Sequence, residues 1–249
     1  MKALAAALLF MLLLVQPGAA AAPSTIRPAE FGDFAFRQNL GAKLPLDAVL
    51  RGKGGKPVTL GSLFDGRPIV IDFEYDRCTV LCGTMLDRVS AAMAPLTGAR
   101  LVAIDIDPAA TPEAAEKFAA AHGATTVLTG DEPTIRRIAD AAGFPYRRDP
   151  TTGDYAHPAG FLVAAPDGTI ARYFLGFDWR RLDLRLGVAE AAGHRIAAPA
   201  EQILLFCYCY DPQTGHYDLA VSRLLAAVGA ATLLALAGTV GLAVRRAAR

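Results

Sequence analysis

The stretch "RPIVIDFEY", residues 67–75, constrains this chain more than any other. It is a continuous β-branched and aromatic run, the mark of a strand buried on both of its faces. A strand of that kind requires covering layers above and below. A second run of the same character, "ARLVAIDID", occupies residues 99–107. Between and after the two lie helical patterns. "GTMLDRVSAAMAPL" has apolar residues at helical spacing, and "TPEAAEKFAAAHG" opens with Thr111 as N-cap and Pro112 at the first helical position, then stops at Gly123. "TTVLTG" reads as a short strand and "DEPTIRRIADAAG" as a helix capped by Asp131 and ended by Gly143. "HPAGFLVAAPDGTIARYFLG" reads as two strands around a Pro-Asp-Gly turn, and "DWRRLDLRLGVAEAAG" as a last amphipathic helix. Upstream, residues 23–43 read as loop and "LRGKGGKPVTL" as a Gly-rich turn leading into a strand. Strand–helix alternation closing on a hairpin and a helix predicts an α/β domain with a mixed sheet flanked by helices.

The two ends of the chain stand apart from that domain. "MKALAAALLFMLLLVQPGAAAAPS" has one lysine, an apolar core from Ala3 to Val15 and small residues after a Pro-Gly break, the layout of a secretory signal peptide cleaved near Ala20 to Ala22. An uncleaved anchor is the alternative, since such cores overlap short spans in length. From Leu224 to Val244 the chain runs 21 residues without a charge, enough to cross a bilayer as one helix, and Arg245, Arg246 and Arg249 follow. Positive residues favour the cytoplasmic side, which predicts a single-pass protein of the inner membrane with everything before Leu224 outside the cytoplasm. The expected organisation is a signal peptide (1–22), one domain (23–200), a juxtamembrane segment (201–223), a transmembrane helix (224–244) and a basic tail (245–249). Membrane lipid is then one partner. The formal net charge of +1 offers no electrostatic footprint for nucleic acid.

Roughly 180 exported residues suffice for one domain with a real core. Export implies an oxidising compartment, yet the chain has only four cysteines, Cys78, Cys82, Cys207 and Cys209, which is no disulfide framework. Two tight pairs point to local chemistry instead.

Cys78 and Cys82 follow the first buried strand. On a helix, positions i and i+4 share a face, with Cα atoms about 6 Å apart, so the sulfurs can meet. The positive end of the helix favours thiolate at Cys78 above all, and Arg77 can add to this. That spacing permits redox chemistry and metal binding alike. Soft thiolates favour Cu(I), and an added imidazole makes a set that also suits Cu(II). Of the histidines, His122 sits near a helix C-terminus, where a dipole interaction explains it, and His194 follows a helix-ending glycine. His157 precedes the strand "PAGFLVAA" and is open to two readings, a satisfied structural histidine or a third ligand. Asp107 in "DIDP" could flank the same mouth or cap the turn before Pro108. Near the C-terminal run, Cys207 and Cys209 form a C-x-C beside Tyr208, Tyr210 and Tyr217. With His216 they could hold a second soft metal, or the tyrosines could form an aromatic belt at a membrane surface.

A cysteine pair ending the first central strand and opening a helix is where thioredoxin-like domains carry theirs. More specifically, "RPIVIDFEYDRCTVLC", "VAIDIDPAATPEAAEKF", "VLTGDEPTIRRIADAAGFPY" and "DYAHPAGFLVAAPDGTIARYFLG" resemble, in order, the Sco/SenC family. "FCYCYDPQTGHY" resembles its membrane-tethered bacterial branch. Two positions depart from the family pattern: Thr79 stands where proline is usual, and Cys209 where the tethered branch usually has histidine. The resemblance implies a thioredoxin-like fold and copper held by Cys78, Cys82 and His157. It implies a metallochaperone that delivers copper to the cytochrome c oxidase subunit carrying a CuA-type site. Other periplasmic copper chaperones or thiol reductants are further expected partners. The competing expectation is enzymatic: a thiol–disulfide oxidoreductase, with Cys78 and Cys82 as its catalytic pair, that reduces the copper-ligand cysteines of the oxidase subunit. A peroxidase of the peroxiredoxin type is disfavoured because Tyr75 stands where that family has threonine. A purely structural Cys78–Cys82 disulfide is disfavoured because so small a loop gains little chain entropy.

Overall fold

The computed structural model describes residues 35–78, 82–124, 126–148, 153–193, 208–211, 215–219, 228–236 and 239. The expected signal peptide, Cys207, His194 and the basic tail lie outside the described residues. Its centre is a five-stranded sheet in the order β5–β4–β3–β8–β9. Strands β3 (Ile69–Glu74), β4 (Arg100–Asp105) and β5 (Val127–Leu128) run parallel, while β8 (Gly160–Ala164) and β9 (Ile170–Leu175) are antiparallel neighbours on the other side of β3. The sheet is mixed, as the element order predicts. Helices α1 (Cys82–Met93), α2 (Pro112–Ala121), α3 (Glu132–Ala141) and α4 (Arg181–Ala191) complete the layers.

The predicted caps hold at atomic level. Thr111 accepts from the backbone N–H of Ala114 at 3.2 Å, and Asp131 accepts from Thr134 at 2.9 Å. Each satisfies a donor that a helix start leaves unpaired. Gly143 ends α3 with φ +62°, and a Cβ there would collide with the Arg37 carbonyl, so glycine is required twice over.

Strand β3 is buried along its whole length, and its alternation feeds two cores. Ile69, Ile71 and Phe73 pack with Val102 and Ile104 of β4, Leu162 of β8, and Ile135 and Ile138 of α3. Val70 packs on the opposite face with Phe161 and Val163, and with Met85 and Val89 of α1 and Leu184 and Val188 of α4. Burying each such side chain stabilises the fold by about 1.5–3 kcal/mol. Asp72 and Glu74 take the remaining positions of the strand and are buried too.

The Gly-rich turn expected to lead into one strand joins two, β1 (Val49–Arg51) and β2 (Pro57–Thr59), and two further hairpins lie outside the sequence expectation. A short one joins β6 (Arg147–Arg148) to β7 (Tyr155–Ala156). The other joins β10 (Tyr208–Asp211) to β11 (His216–Leu219), within the segment read as juxtamembrane. It docks on the domain: Tyr217 is 1% exposed, and the Tyr210 hydroxyl bonds both the N–H and the carbonyl of Tyr173 in β9. These two tyrosines therefore serve the domain rather than a membrane-surface belt, because their hydroxyls find partners on β9 and α4.

Among the described residues, no helix is long and apolar enough to cross a membrane. Residues 228–236 are helical and exposed, and the rest of the charge-free run, apart from residue 239, lies outside the described residues.

Candidate dithiol–imidazole site

At the C-terminal end of β3 the chain turns, with the N–H of Cys78 donating to the Tyr75 carbonyl at 3.0 Å. Cys78 is half-buried, Cys82 is buried at the first described position of α1, and no disulfide joins them. The N–H of Cys82 donates to the Cys78 sulfur at 3.4 Å, so an unpaired donor at the helix start meets the first sulfur. The expectation that both cysteines share one helix falls partly on residues 79–81, outside the described residues. The link between them at the helix start is nevertheless direct.

His157 arrives from the link between β7 and β8. Its Nε2 lies 3.6 Å from the Cys82 sulfur, and its Nδ1 lies 3.0 Å from the Pro158 carbonyl. A carbonyl can only accept, so Nδ1 carries the ring proton and Nε2 keeps its lone pair toward the sulfur. The ring is fixed by Tyr75, edge-on at 5.9 Å between centroids, and by Phe144 at 5.5 Å. Burial holds the His157 pKa below its ordinary value, opposed by the Pro158 hydrogen bond. Burial, and next the Cys78 sulfur, push the Cys82 thiol far up. As it stands, Cys82 and His157 form an uncharged thiol–imidazole pair.

Arg77, expected to favour thiolate, forms an ion pair with buried Asp107. Asp107 also accepts from Ala109 N–H at 3.0 Å, which is the turn-capping role, and from the Tyr155 hydroxyl at 3.3 Å. It is committed to the frame of the mouth and is no ligand here.

Sequence reasoning missed the carboxyl layer behind the cysteines. Both Glu74 oxygens are buried without a hydrogen-bond partner, as is one oxygen of Asp72. Burial pushes both carboxyls well up, and Asp105 adds to the effect at Glu74. Asp105 is pushed up to about 7 by burial, although it accepts backbone bonds from Asp76 and Asp107. The available signal was two acids inside a run otherwise apolar enough to be a buried strand.

The structure thus links Cys78 to Cys82 and Cys82 to His157. Among the described residues, no three His, Cys, Asp or Glu side chains converge closely enough to hold a metal ion as they stand. The donor chemistry, two soft sulfurs and one imidazole lone pair, nevertheless suits a soft cation. For the second candidate set, Cys209 pairs with Asp218 in the hairpin ladder, and His216 Nδ1 donates to Asp183 at 3.3 Å. A hollow of about 520 Å³ lies elsewhere, bordered by Lys53, Val58, Glu116 and Val127, and contains none of these donors.

Residues 49–181 match the family model described as SCO1/SenC. No curated protein matches the chain. Among solved structures, it is similar to a protein of Aquifex aeolicus VF5, with 21% identity and a TM-score of 0.56 over 64% of this chain and 97% of that one. It is similar to Arabidopsis thaliana ScoI, solved with copper bound, with 19% identity and a TM-score of 0.52 over 62% of this chain and 99% of that one. It is also similar to BsSco, a member of the Sco family of cytochrome c oxidase assembly proteins in which a disulfide switch is identified. There the identity is 21% and the TM-score 0.53, over 63% of this chain and 97% of that one. At these identities the structural likeness establishes a shared fold.

Proposed function

The chain belongs to the SCO1/SenC family, and from that premise we propose that it is a membrane-anchored copper metallochaperone that passes copper to an apo-subunit of cytochrome c oxidase. The observation that carries this reading is the unprotonated Nε2 of His157, facing the Cys82 sulfur at 3.6 Å. A dithiol needs no such imidazole to exchange electrons, but a soft cation gains a third donor from it. Copper is the cargo here. Cys78 and Cys82 bind it as thiolates, each giving up its proton, and His157 offers Nε2 without a proton to lose. The half-buried Cys78 is the sulfur an acceptor protein reaches first. Copper bound in the solved ScoI structure, which shares this fold, supports copper as the cargo.

In this reading residues 1–22 export the chain, and the charge-free run from Leu224 holds it in the inner membrane with the domain on the periplasmic side. A reporter fused after Arg249 tests that topology: it should behave as cytoplasmic, and periplasmic activity would overturn the orientation.

A second reading is favoured by one observation, the adjacency of a half-buried and a buried thiol. Here the Cys78 thiolate attacks a disulfide of the oxidase subunit, forming a mixed disulfide and releasing one target thiolate. The Cys82 sulfur then attacks Cys78, the target leaves as a dithiol and the pair becomes a disulfide. A periplasmic dithiol reductant must regenerate it. Oxidase assembly in cells separates the two readings. Loss of active oxidase in His157→Ala as well as in Cys78→Ser and Cys82→Ser supports the chaperone. Normal assembly in His157→Ala, with failure in the cysteine variants, would make the protein a thiol reductant instead.

A further inference from the structure

The β10–β11 hairpin is bolted to one flank of the domain. The Tyr210 hydroxyl donates to the Tyr173 carbonyl at 2.6 Å and accepts from its N–H at 3.0 Å, filling backbone positions on the edge strand β9. The buried Tyr217 hydroxyl donates to Glu190 at 2.7 Å and accepts from Arg172 at 3.2 Å. The backbone of the same residue is held at both ends. Its N–H donates to Asp183 at 3.2 Å, and its carbonyl accepts from Arg180 at 2.7 Å. Asp183 is itself fully buried and also receives His216 Nδ1. A two-stranded hairpin is marginal alone, so these contacts with β9 and α4 are what hold it.

Leu219 ends the hairpin, and the charge-free run begins at Leu224. Whatever path the intervening residues take, five Cα steps span at most ~18 Å. We propose that the flank made of β9, α4 and the β10–β11 hairpin is the face of the domain turned toward the bilayer, with the lipid headgroup layer as its partner. The proposal rests on the C-terminal anchor described above. Because the hairpin is part of the domain, the tether has no long flexible stalk. The dithiol lies at the end of β3, and β3 is two strands from β9, about 10 Å across the sheet. Cys78 is therefore held close to the membrane surface, suited to an acceptor whose metal site stands at a similar height on the same side.

The test uses the full chain in vesicles of phosphatidylcholine and phosphatidylglycerol. A photocrosslinking side chain is placed at exposed Arg181 on α4 or at exposed Glu113 on α2, which borders the opposite, β5 side of the sheet. Lipid adducts should form several-fold more at position 181 than at position 113. Equal yields from vesicle-bound chain would overturn the orientation and leave the anchor standing. A chain that fails to float with the vesicles after an alkaline wash would overturn the anchor and the orientation together. Inserting fifteen Gly-Ser residues after Leu219 leaves the hairpin docked but lengthens the tether, and it should erase most of the contrast. Contrast undiminished by that insertion would also overturn the proposal.

Discussion

His157 keeps Nδ1 on the Pro158 carbonyl at 3.0 Å while Nε2 faces the Cys82 sulfur at 3.6 Å. The first bond fixes the tautomer that makes the second nitrogen a donor atom for metal. Removing the ring should therefore act on metal binding far more than on thiol chemistry. For His157→Ala, Cu(II) binding should be almost completely lost, since Cu(II) prefers more and harder donors. Cu(I) binding should weaken only in part, since two sulfurs satisfy it. Thiol–disulfide exchange should survive within a modest factor, while Cys78→Ser and Cys82→Ser should abolish both. Competition with a Cu(I) chelator, Cu(II) absorbance and disulfide-exchange kinetics read the three arms. Retained Cu(II) binding by the alanine variant would remove His157 from the ligand set.

The two shifts at this site give copper uptake a pH slope of definite sign. Burial raises the Cys82 thiol, so its proton is still present at neutral pH and must be displaced on binding. Burial lowers His157, so the imidazole competes with protons only on the acid side of its ordinary range. Affinity should rise steadily from pH 6 to pH 8, by about tenfold per pH unit for the Cys82 proton alone. Calorimetry in buffers of different ionisation enthalpy counts the protons released. Uptake without proton release would show that Cys82 takes no part.

Glu74 supplies a stability prediction of its own. Its folded pKa lies well above 4.5, and that of Asp105 is about 7 against an ordinary 3.8. The native state therefore binds these protons more tightly than the unfolded chain does. Their contribution is fully present below the unfolded values and is lost as pH rises toward the folded ones. The melting temperature should fall between pH 5 and pH 8. Glu74→Gln should flatten that decline, and it breaks no bond because both oxygens lack partners. An unchanged slope in the variant would mean that Glu74 is ionised in the fold.

What the sequence disclosed and what it hid divide along local and non-local lines. Strands β3 and β4 were legible because burial on both faces leaves an unbroken apolar run. Thr111, Asp131 and Gly143 were legible because caps are local chemistry. The proximity of His157 to Cys82 spans 75 positions, and only the family resemblance paired them. Asp72 and Glu74 sit in a strand correctly read as buried, yet nothing local says that their carboxyls go in unpartnered. The β10–β11 hairpin was hidden for a similar reason. Tyr210 and Tyr217 look like interfacial tyrosines until Tyr173, Glu190 and Asp183 are brought beside them.

The C-terminal boundary of the folded domain follows from Asp183. This carboxylate is fully buried and accepts from Arg180 N and Nε at 2.9 Å, Arg180 Nη2 at 2.7 Å, Tyr217 N at 3.2 Å and His216 Nδ1 at 3.3 Å. Its hydrogen bonds, with those to Arg180 foremost, outweigh burial and hold its pKa below the usual value. Asp183→Ala leaves the Tyr217 N–H buried without an acceptor and frees the helix start at Arg180, a loss of about 3–5 kcal/mol. The sign with pH is opposite to that of Glu74: this contribution is present above the unfolded pKa and is lost as pH falls through the folded one. A chain ending before Glu201 should lose a comparable amount, because the Tyr217 side chain leaves a site where it is 1% exposed and Glu190 and Arg172 lose its hydroxyl. For a domain of this size that is a drop in melting temperature of roughly 6–20 °C. A chain ending at Ser222 should melt as the full exported domain does. Equal melting of the chain cut before Glu201 and the chain ending at Ser222 would show that the hairpin adds nothing to the fold, and the tight tether to the membrane would lose its basis with it.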